Sequence, residues 1–453
     1  MDYEQSRKRI NNALQHADET RAVFLGENLL EQAPRLFGQF FSERNIIVVA
    51  DVNTFDAAGR AVDEYFHQTK EYAVEPPFLF LEKEFHADDK HLELLQNVLA
   101  QTDAVPIAVG SGTINDLVKR AAFVCGRSYM IVGTAASMDG YTGFGASIEQ
   151  GGRKQTMDCP APRVVLLDLD VLCQAPSEMS AAGYADLLAK IPAGADWILA
   201  DFVGAEPIDP AAWHIVQDPL RDWLAEPTGV AAGKKTSILS LSEGLILSGL
   251  AMQKAKSSRP ASGAEHMLSH LWDNQHHTFQ GRTPSHGFKV GIGSMATSRL
   301  YEQVLTLSSA DFLAAKSTMS QFYLLWESIE KAVEKHFGTE QLAQQILDQS
   351  RNKHVPPEEV ARRLDHFAAH WQELSERLRK QLLPSATIQQ MLRQSGAAGT
   401  SEEIGIDANR LQLSLEQARF IRCRYNVLDF IQETGNWSKY ISAYVGSPPL
   451  GLK

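Results

Sequence analysis

Val105-Pro106-Ile107-Ala108-Val109-Gly110-Ser111-Gly112-Thr113-Ile114-Asn115-Asp116 is the stretch whose reading decides the fold. An apolar run ends in two glycines and gives way to a helical pattern, Leu117-Val118-Lys119-Arg120-Ala121-Ala122, which is strand, tight turn, helix. Glycines let a backbone approach a pyrophosphate closely, and the free amides of a helix start favour an anion. The spacing is not that of G-x-G-x-x-G, so the stretch alone reads equally as an ordinary strand-to-helix turn. Its neighbours strengthen the ligand reading. The strand Ile46-Ile47-Val48-Val49-Ala50-Asp51 ends in an acid ahead of Asn53 and Thr54. Such an acid either takes the hydroxyls of an adenosine ribose or caps the following helix. A third strand, Tyr129 to Gly133, leads into Thr134-Ala135-Ala136-Ser137-Met138-Asp139-Gly140-Tyr141, where small hydroxyl residues suit phosphate or ribose. Three strand ends of this kind outline a ligand edge.

Outward from this edge the pattern changes. Residues 1 to about 40 read as amphipathic helix, and strands then alternate with helices to about residue 170, ending in the core strand Arg163–Asp170. That is an α/β, doubly wound nucleotide-binding domain, expected over residues 1–175. After Pro176 strand signals nearly stop, and alanine-rich helices are expected over 179–203, 210–225, 236–257 and 260–274. Residues 176–453 therefore read as an all-helical domain. Its stretch 310–420, rich in Glu, Gln, Lys and Arg with periodic Leu, Ile and Phe, reads as a helical elaboration broken at Pro356-Pro357 and Pro384. Chemistry is expected in the cleft between the two domains.

The helical part carries its own motif, Ser262-Gly263-Ala264-Glu265-His266-Met267-Leu268-Ser269-His270, followed by His286-Gly287. Histidines four apart share one helix face, so both imidazoles can point at one spot, and a third from the next segment can close a metal site there. A His-x-x-x-His pair is also often incidental, and its company decides. His276 and His277, between Gln275 and Thr278, read as surface.

Taken together, Gly110–Asp116, Gly133–Gly140, Ala182–Lys190, Ser262–His266 and His286-Gly287 resemble the sn-glycerol-1-phosphate dehydrogenase family. That family lies within the superfamily of iron-containing alcohol dehydrogenases, glycerol dehydrogenase and dehydroquinate synthase. The resemblance implies a dehydroquinate synthase-like fold with metal ligands Asp186, His266 and His286. One carboxylate and two imidazoles suit zinc, nickel or iron(II). It also implies that Gly112, Thr113, Ile114, Asn115 and Asp116 cradle NAD(H) or NADP(H), with Thr134, Ala135, Ala136 and Ser137 beside them and Asp51 at the adenosine ribose. Asp139, Asp186 and His270 would face the substrate, His270 and Asp139 in catalytic roles. Where many relatives carry a serine in a D-G-x-x-S pattern this chain has Gly143, so that hydroxyl contact to cofactor is lost or supplied elsewhere. The implied reaction is reversible hydride transfer between a nicotinamide and C2 of dihydroxyacetone phosphate. Two other outcomes fit the same scaffold: a dehydrogenase for another polyol or keto-phosphate, and an NAD- and metal-dependent carbocycle-forming lyase. A non-catalytic nucleotide-binding member would be marked by a lost metal triad, whereas all three ligand positions here hold competent residues.

Composition narrows the partners. Hydrophobic residues at 44% and charged residues at 22% are ordinary globular values. A formal charge of −12 disfavours nucleic acid and anionic membranes. A phosphorylated substrate therefore needs a local basic pocket, with Lys190, Lys254, Lys256, Arg259 and Lys289 as candidates, each equally well read as a solvated surface charge. Cys125, Cys159, Cys173 and Cys423 have no C-x-x-C spacing and fit buried thiols in a reducing cytoplasm. No N-terminal signal core or apolar run of about 18 residues occurs, so no membrane insertion is expected, and a homo-oligomer is.

Overall fold

In the computed structural model of the chain, residues 3–82, 85–151, 153–339, 341–442 and 444 are described. The strands are β1 (Ala22–Gly26), β2 (Asn45–Asp51), β3 (Ala73–Phe80), β4 (Val105–Gly110), β5 (Met130–Gly133), β6 (Ala146–Gln150), β7 (Arg153–Met157) and β8 (Val164–Asp168). Two compact units form. The first is Met1–Leu187 with Asp209–Pro260 and Gln394–Ala397; the second is Leu188–Ile208 with Ala261–Arg393 and Ala398–Lys453.

The first unit is built on a six-stranded sheet in the order β1-β8-β5-β4-β2-β3, with parallel pairing throughout. Parallel sheets are covered on both faces, which is why Ile46–Ala50, Ile107–Val109 and Val164–Leu167 are unbroken apolar runs without alternation, and all are buried. On one face Phe37 stacks on Phe41 at 4.3 Å and meets Phe66 and Tyr72 edge-on, each at 5.6 Å. The chain leaves β2 toward β3 but leaves β4 toward β5, in the opposite direction. The carboxyl ends of β2 and β4 thus flank a topological switch point, where open α/β sheets bind ligands.

Two expectations for this unit need correction. Residues 1–40 are not one amphipathic stretch: the helix Tyr3–Leu14 is followed by β1, which pairs with β8 at the sheet edge. Ala22-Val23-Phe24-Leu25-Gly26 is a short apolar run between polar segments, and short runs of this kind do not separate strand from helix by periodicity. In addition, β6 and β7 form a separate antiparallel hairpin turning at Gly151 (φ +57°), which the strand-helix alternation does not predict.

A buried lysine fixes the loop that follows β5. Lys119 is 1% exposed, and its Nζ donates to the carbonyls of Gly140 (2.9 Å), Gly143 (2.9 Å) and Gly145 (3.0 Å). Asp116 lies 3.8 Å from the same ammonium and provides a counter-charge. Three carbonyls converging on one cation draw the glycine-rich segment inward. Lys119→Met removes the common donor while keeping the apolar stem. It should lower stability by about 3 kcal/mol, at roughly 1 kcal/mol per orphaned carbonyl, measured as a lower urea midpoint.

Among the described residues the second unit is helical. Its hub is Asp196, fully buried on the helix Lys190–Phe202. The carboxylate accepts from the Ala264 amide (2.7 Å), the Tyr301 hydroxyl (2.6 Å) and the Val427 amide (2.9 Å), tying together three further helices. The aromatics of the region 310–420 pack with one another and onto the helix Val427–Glu433. Phe312 meets Trp371 at 4.8 Å, and Phe367 meets Phe430 at 4.9 Å. The prolines act where the sequence places them: Pro356 caps the helix Pro357–Gln381, and Pro384 precedes the helix Ser385–Ser395.

Several side chains are more buried than the sequence indicates. Lys190, Arg259 and Lys289 are at most 2% exposed, which overturns their reading as solvated charges; Lys289 is paired with Asp273. Lys254 is half-buried and lies 3.7 Å from Asp209, while Lys256 is exposed. His277 is not on the surface: its Nε2 lies 2.6 Å from the Ile404 carbonyl and its Nδ1 2.9 Å from Arg410. Burial lowers its pKa, and Arg410 adds to the effect. The cysteines are all free, but only Cys159 is buried and Cys423 is exposed. Burial pushes the Cys159 thiol up to about 11. At pH 8 a thiol-specific disulfide reagent should therefore modify Cys423 rapidly, and Cys159 only after denaturation. No described helix is long and apolar enough to cross a membrane.

Candidate metal and dinucleotide site

The switch point is built mainly of backbone. Gly110 at the end of β4 pairs with Gly133 at the end of β5, and the Thr134 amide donates to the Gly110 carbonyl at 3.0 Å. The helix Gly112–Val124 starts beside them. Its N-cap, Ser111, makes no side-chain capping bond, so the first-turn amides are not closed off by a cap. Within this turn the side chains of the expected cradle turn inward. Ile114 is buried, the Asn115 amide donates to the Gly140 carbonyl and accepts from Tyr129, and Asp116 accepts from the Ser147 amide. What the turn offers an anion is the amide set of Gly112, Thr113 and Ile114, and a pyrophosphate fits that donor chemistry.

Asp51 stands at the end of β2. Its Oδ1 accepts from the amides of Asn53 (2.8 Å) and Thr54 (2.9 Å), and the Thr54 hydroxyl accepts from the Asp51 amide. The capping alternative is thus realised, and one carboxylate oxygen carries it. Beyond β5, Thr134, Ala135 and Ala136 are buried while Ser137, Met138 and Asp139 are half-buried. The Tyr141 hydroxyl ties this loop back to the Ala135 carbonyl at 2.7 Å, and burial raises its pKa. At Gly143 a Cβ would sit 3.1 Å from the Met252 methyl, the flexible end of a side chain.

The helix Ser177–Leu188 approaches this loop as closely as backbone allows. A Cβ on Gly183 would lie 2.0 Å from the Ala136 carbonyl oxygen. One turn on, the fully buried Asp186 accepts the Asp139 amide on Oδ2 at 3.1 Å, and the Asp139 carboxylate accepts from Ser248 at 2.8 Å. The contact at Gly183 therefore sets both acids.

In the second unit His266 and His270 lie four residues apart on the helix Ala264–Asn274. His286 is the first residue of the helix His286–Val304, entered through the N-cap Ser285, whose hydroxyl accepts from the Phe288 amide. The two helices touch at Gly293, where a Cβ would come within 2.5 Å of the Glu265 carbonyl. Their rings form a triangle with centroid separations of 5.4 Å (His266–His286), 6.3 Å (His266–His270) and 6.4 Å (His270–His286). Asp186, His266 and His286 each offer one ligand atom, and these atoms lie within 4.8 Å of one another. One carboxylate and two imidazoles at that spacing fit a divalent cation with open positions left over. His270 belongs to the triangle but not to that donor set. Of the residues around this site, Glu265 and Ser269 escaped the sequence reading; their positions beside a histidine and one turn on were the available signal.

A family model described as iron-containing alcohol dehydrogenase matches residues 24–176. Glycerol-1-phosphate dehydrogenase [NAD(P)+] of Halalkalibacterium halodurans is 35% identical over 285 residues, 61% of this chain and 70% of that protein. The protein of the same name from Geobacillus thermodenitrificans is 30% identical over 394 residues, 86% of this chain and 87% of its own. A crystal structure titled as a probable glycerol dehydrogenase from Sinorhizobium meliloti shares the fold, with a TM-score of 0.59, 14% identity and coverage of 95% and 99%.

The Gly183 contact is testable. Gly183→Ala meets a backbone oxygen that cannot step aside, so it should destabilise the protein by about 3 kcal/mol. Gly143→Ser meets only a flexible methyl and should cost less than about 1 kcal/mol by the same denaturation measurement.

Proposed function

The chain belongs to the glycerol-1-phosphate dehydrogenase family, and from that premise we propose that it interconverts dihydroxyacetone phosphate and sn-glycerol 1-phosphate as a metal-dependent, NAD(P)-linked dehydrogenase. The observation that carries the reading is the convergence of Asp186, His266 and His286. A divalent cation, whether zinc, nickel or iron(II), is held by these three side chains. When bound, the cation contributes Lewis acidity at the C2 oxygen and the nicotinamide contributes the hydride.

The chain's own residues do the rest. The amides of Gly112, Thr113 and Ile114 bind the pyrophosphate, and the loop Thr134–Ser137 lines the dinucleotide beside them. Asp51 takes the adenosine ribose with the carboxylate oxygen that capping leaves over. A carboxylate there repels a 2′-phosphate, so NADH is the preferred cofactor and NADPH the weaker one. Asp139, steadied by Ser248, accepts a hydrogen bond from a substrate hydroxyl. His270, one helical turn from His266, moves the proton at the C2 oxygen: it donates during ketone reduction and accepts in the reverse direction. Free thiols fit a reducing cytoplasm, and we assign the enzyme there as a homo-oligomer.

The test is NADH consumption with dihydroxyacetone phosphate by metal-loaded and by chelated protein, with chiral analysis of the product. Turnover should require metal and yield the sn-1 phosphate. Asp186→Ala and His266→Ala should each lose the bound metal and at least about a thousand-fold in kcat/KM, the equivalent of several kcal/mol of transition-state stabilisation. Undiminished turnover in chelated protein, or metal retained by either variant, contradicts the reading. Turnover only with a different ketone would contradict the substrate alone.

A further inference from the structure

Glu265 is fully buried, precedes His266 and plays no part in the donor set. Its Oε1 lies 2.8 Å from the His266 Nδ1 and also accepts from the Gly263 amide. Its Oε2 has no hydrogen-bond partner among the described residues. The backbone makes room for this arrangement. A Cβ on Gly263 would sit 2.9 Å from Oε2, and one on Gly293 would press into the Glu265 backbone. The missing side chain of Gly263 leaves room for the carboxylate, and that of Gly293 for the backbone that carries it.

A carboxylate can only accept. The Glu265–His266 contact therefore puts the ring proton on Nδ1 and leaves the Nε2 lone pair as the donor. Across the same helix face, Ser269 Oγ lies 3.3 Å from the Nδ1 of His286. Both imidazoles of the donor set are thus oriented through Nδ1 by residues of the helix Ala264–Asn274. The two orienting groups differ in charge, and only Glu265 adds a negative one. A buried carboxylate with an unsatisfied oxygen is unfavourable by itself and becomes favourable beside a cation. Asp186 and Glu265 together carry the two negative charges that a divalent cation neutralises.

We infer that Glu265 is a positioning residue of the metal centre: it fixes the His266 ring for ligation through Nε2 and supplies the second negative charge that selects a divalent cation. This rests on the metal-site reading above, and the two fail in different ways. Outer partners of metal-bound histidines typically contribute about 10- to 100-fold in metal affinity.

The experiment measures zinc affinity of stripped wild-type protein and Glu265→Gln by competition with a chromophoric chelator, with thermal melting of both metal-free forms. The visible spectrum of each cobalt-loaded form reports the ligand field. The expected result is zinc binding weakened by about 10- to 100-fold in Glu265→Gln. The cobalt bands should shift, and the metal-free melting temperature should be unchanged or raised, because the variant removes a buried charge that lacks its cation. Equal affinity and unchanged bands overturn the inference. So does a metal-free form that melts lower in step with the lost affinity, which would mark a merely structural residue. Failure of the wild type to bind zinc, nickel or iron would instead sink the metal-site reading. Should Glu265→Gln not fold, Glu265→Asp carries the same test. Shortening the side chain withdraws the carboxylate from Nδ1, so affinity falls by at least about three-fold at constant metal-free melting, and an unchanged affinity overturns the inference.

Discussion

Between the Gly183 α-carbon and the carbonyl oxygen of Ala136 there is no room for a side chain: a Cβ would fall 2.0 Å from that oxygen. This approach seats the helix Ser177–Leu188 on the loop leaving β5. It brings Asp186 within reach of the Asp139 amide one turn later. The loop is held from its other side by Lys119, whose three carbonyl contacts begin at Gly140. A loop fixed from both sides presents the Asp139 amide to Asp186 in one place, which a free surface loop does not.

The same economy of charge recurs deeper in the protein. Buried ionic groups are unfavourable unless each is matched by donors or by an opposite charge. Lys119 is matched by carbonyls and Asp116, Lys289 by Asp273, and Asp196 by two amides and a hydroxyl. Glu265, like Glu243 and Asp273, has one carboxylate oxygen without a hydrogen-bond partner among the described residues, and of these three it is the one whose other oxygen touches a histidine of the donor cluster. The mismatch sits where a cation would complete it.

Much of this was legible in the sequence for identifiable reasons. Buried parallel strands are unbroken apolar runs, so β2, β4, β5 and β8 announce themselves, as do the glycines closing β4 and β5. Histidines four apart declare a shared helix face. The edge strand β1 is only five residues long and carries no period that distinguishes it from helix. The hairpin β6–β7 is partly polar and lies off the main sheet. Burial of Lys190, Arg259, Lys289 and His277 is hidden for another reason: composition assigns polar and charged side chains to solvent, whereas tertiary packing decides. His277 meets Ile404 and Arg410, more than a hundred residues away. Asp51 shows a further limit, since an acid at a strand tip can cap a helix or face a ligand, and only the structure shows that here it caps.

The account depends most on three side chains acting as one donor set. X-ray absorption at the metal edge of stoichiometrically loaded protein tests this directly. The predicted spectrum has two imidazole nitrogens and carboxylate or water oxygens at about 2.0–2.2 Å, and His266→Ala, treated in the same way, should retain no stoichiometric metal. A first shell with three imidazoles, which would enlist His270, or one without histidine, would contradict it.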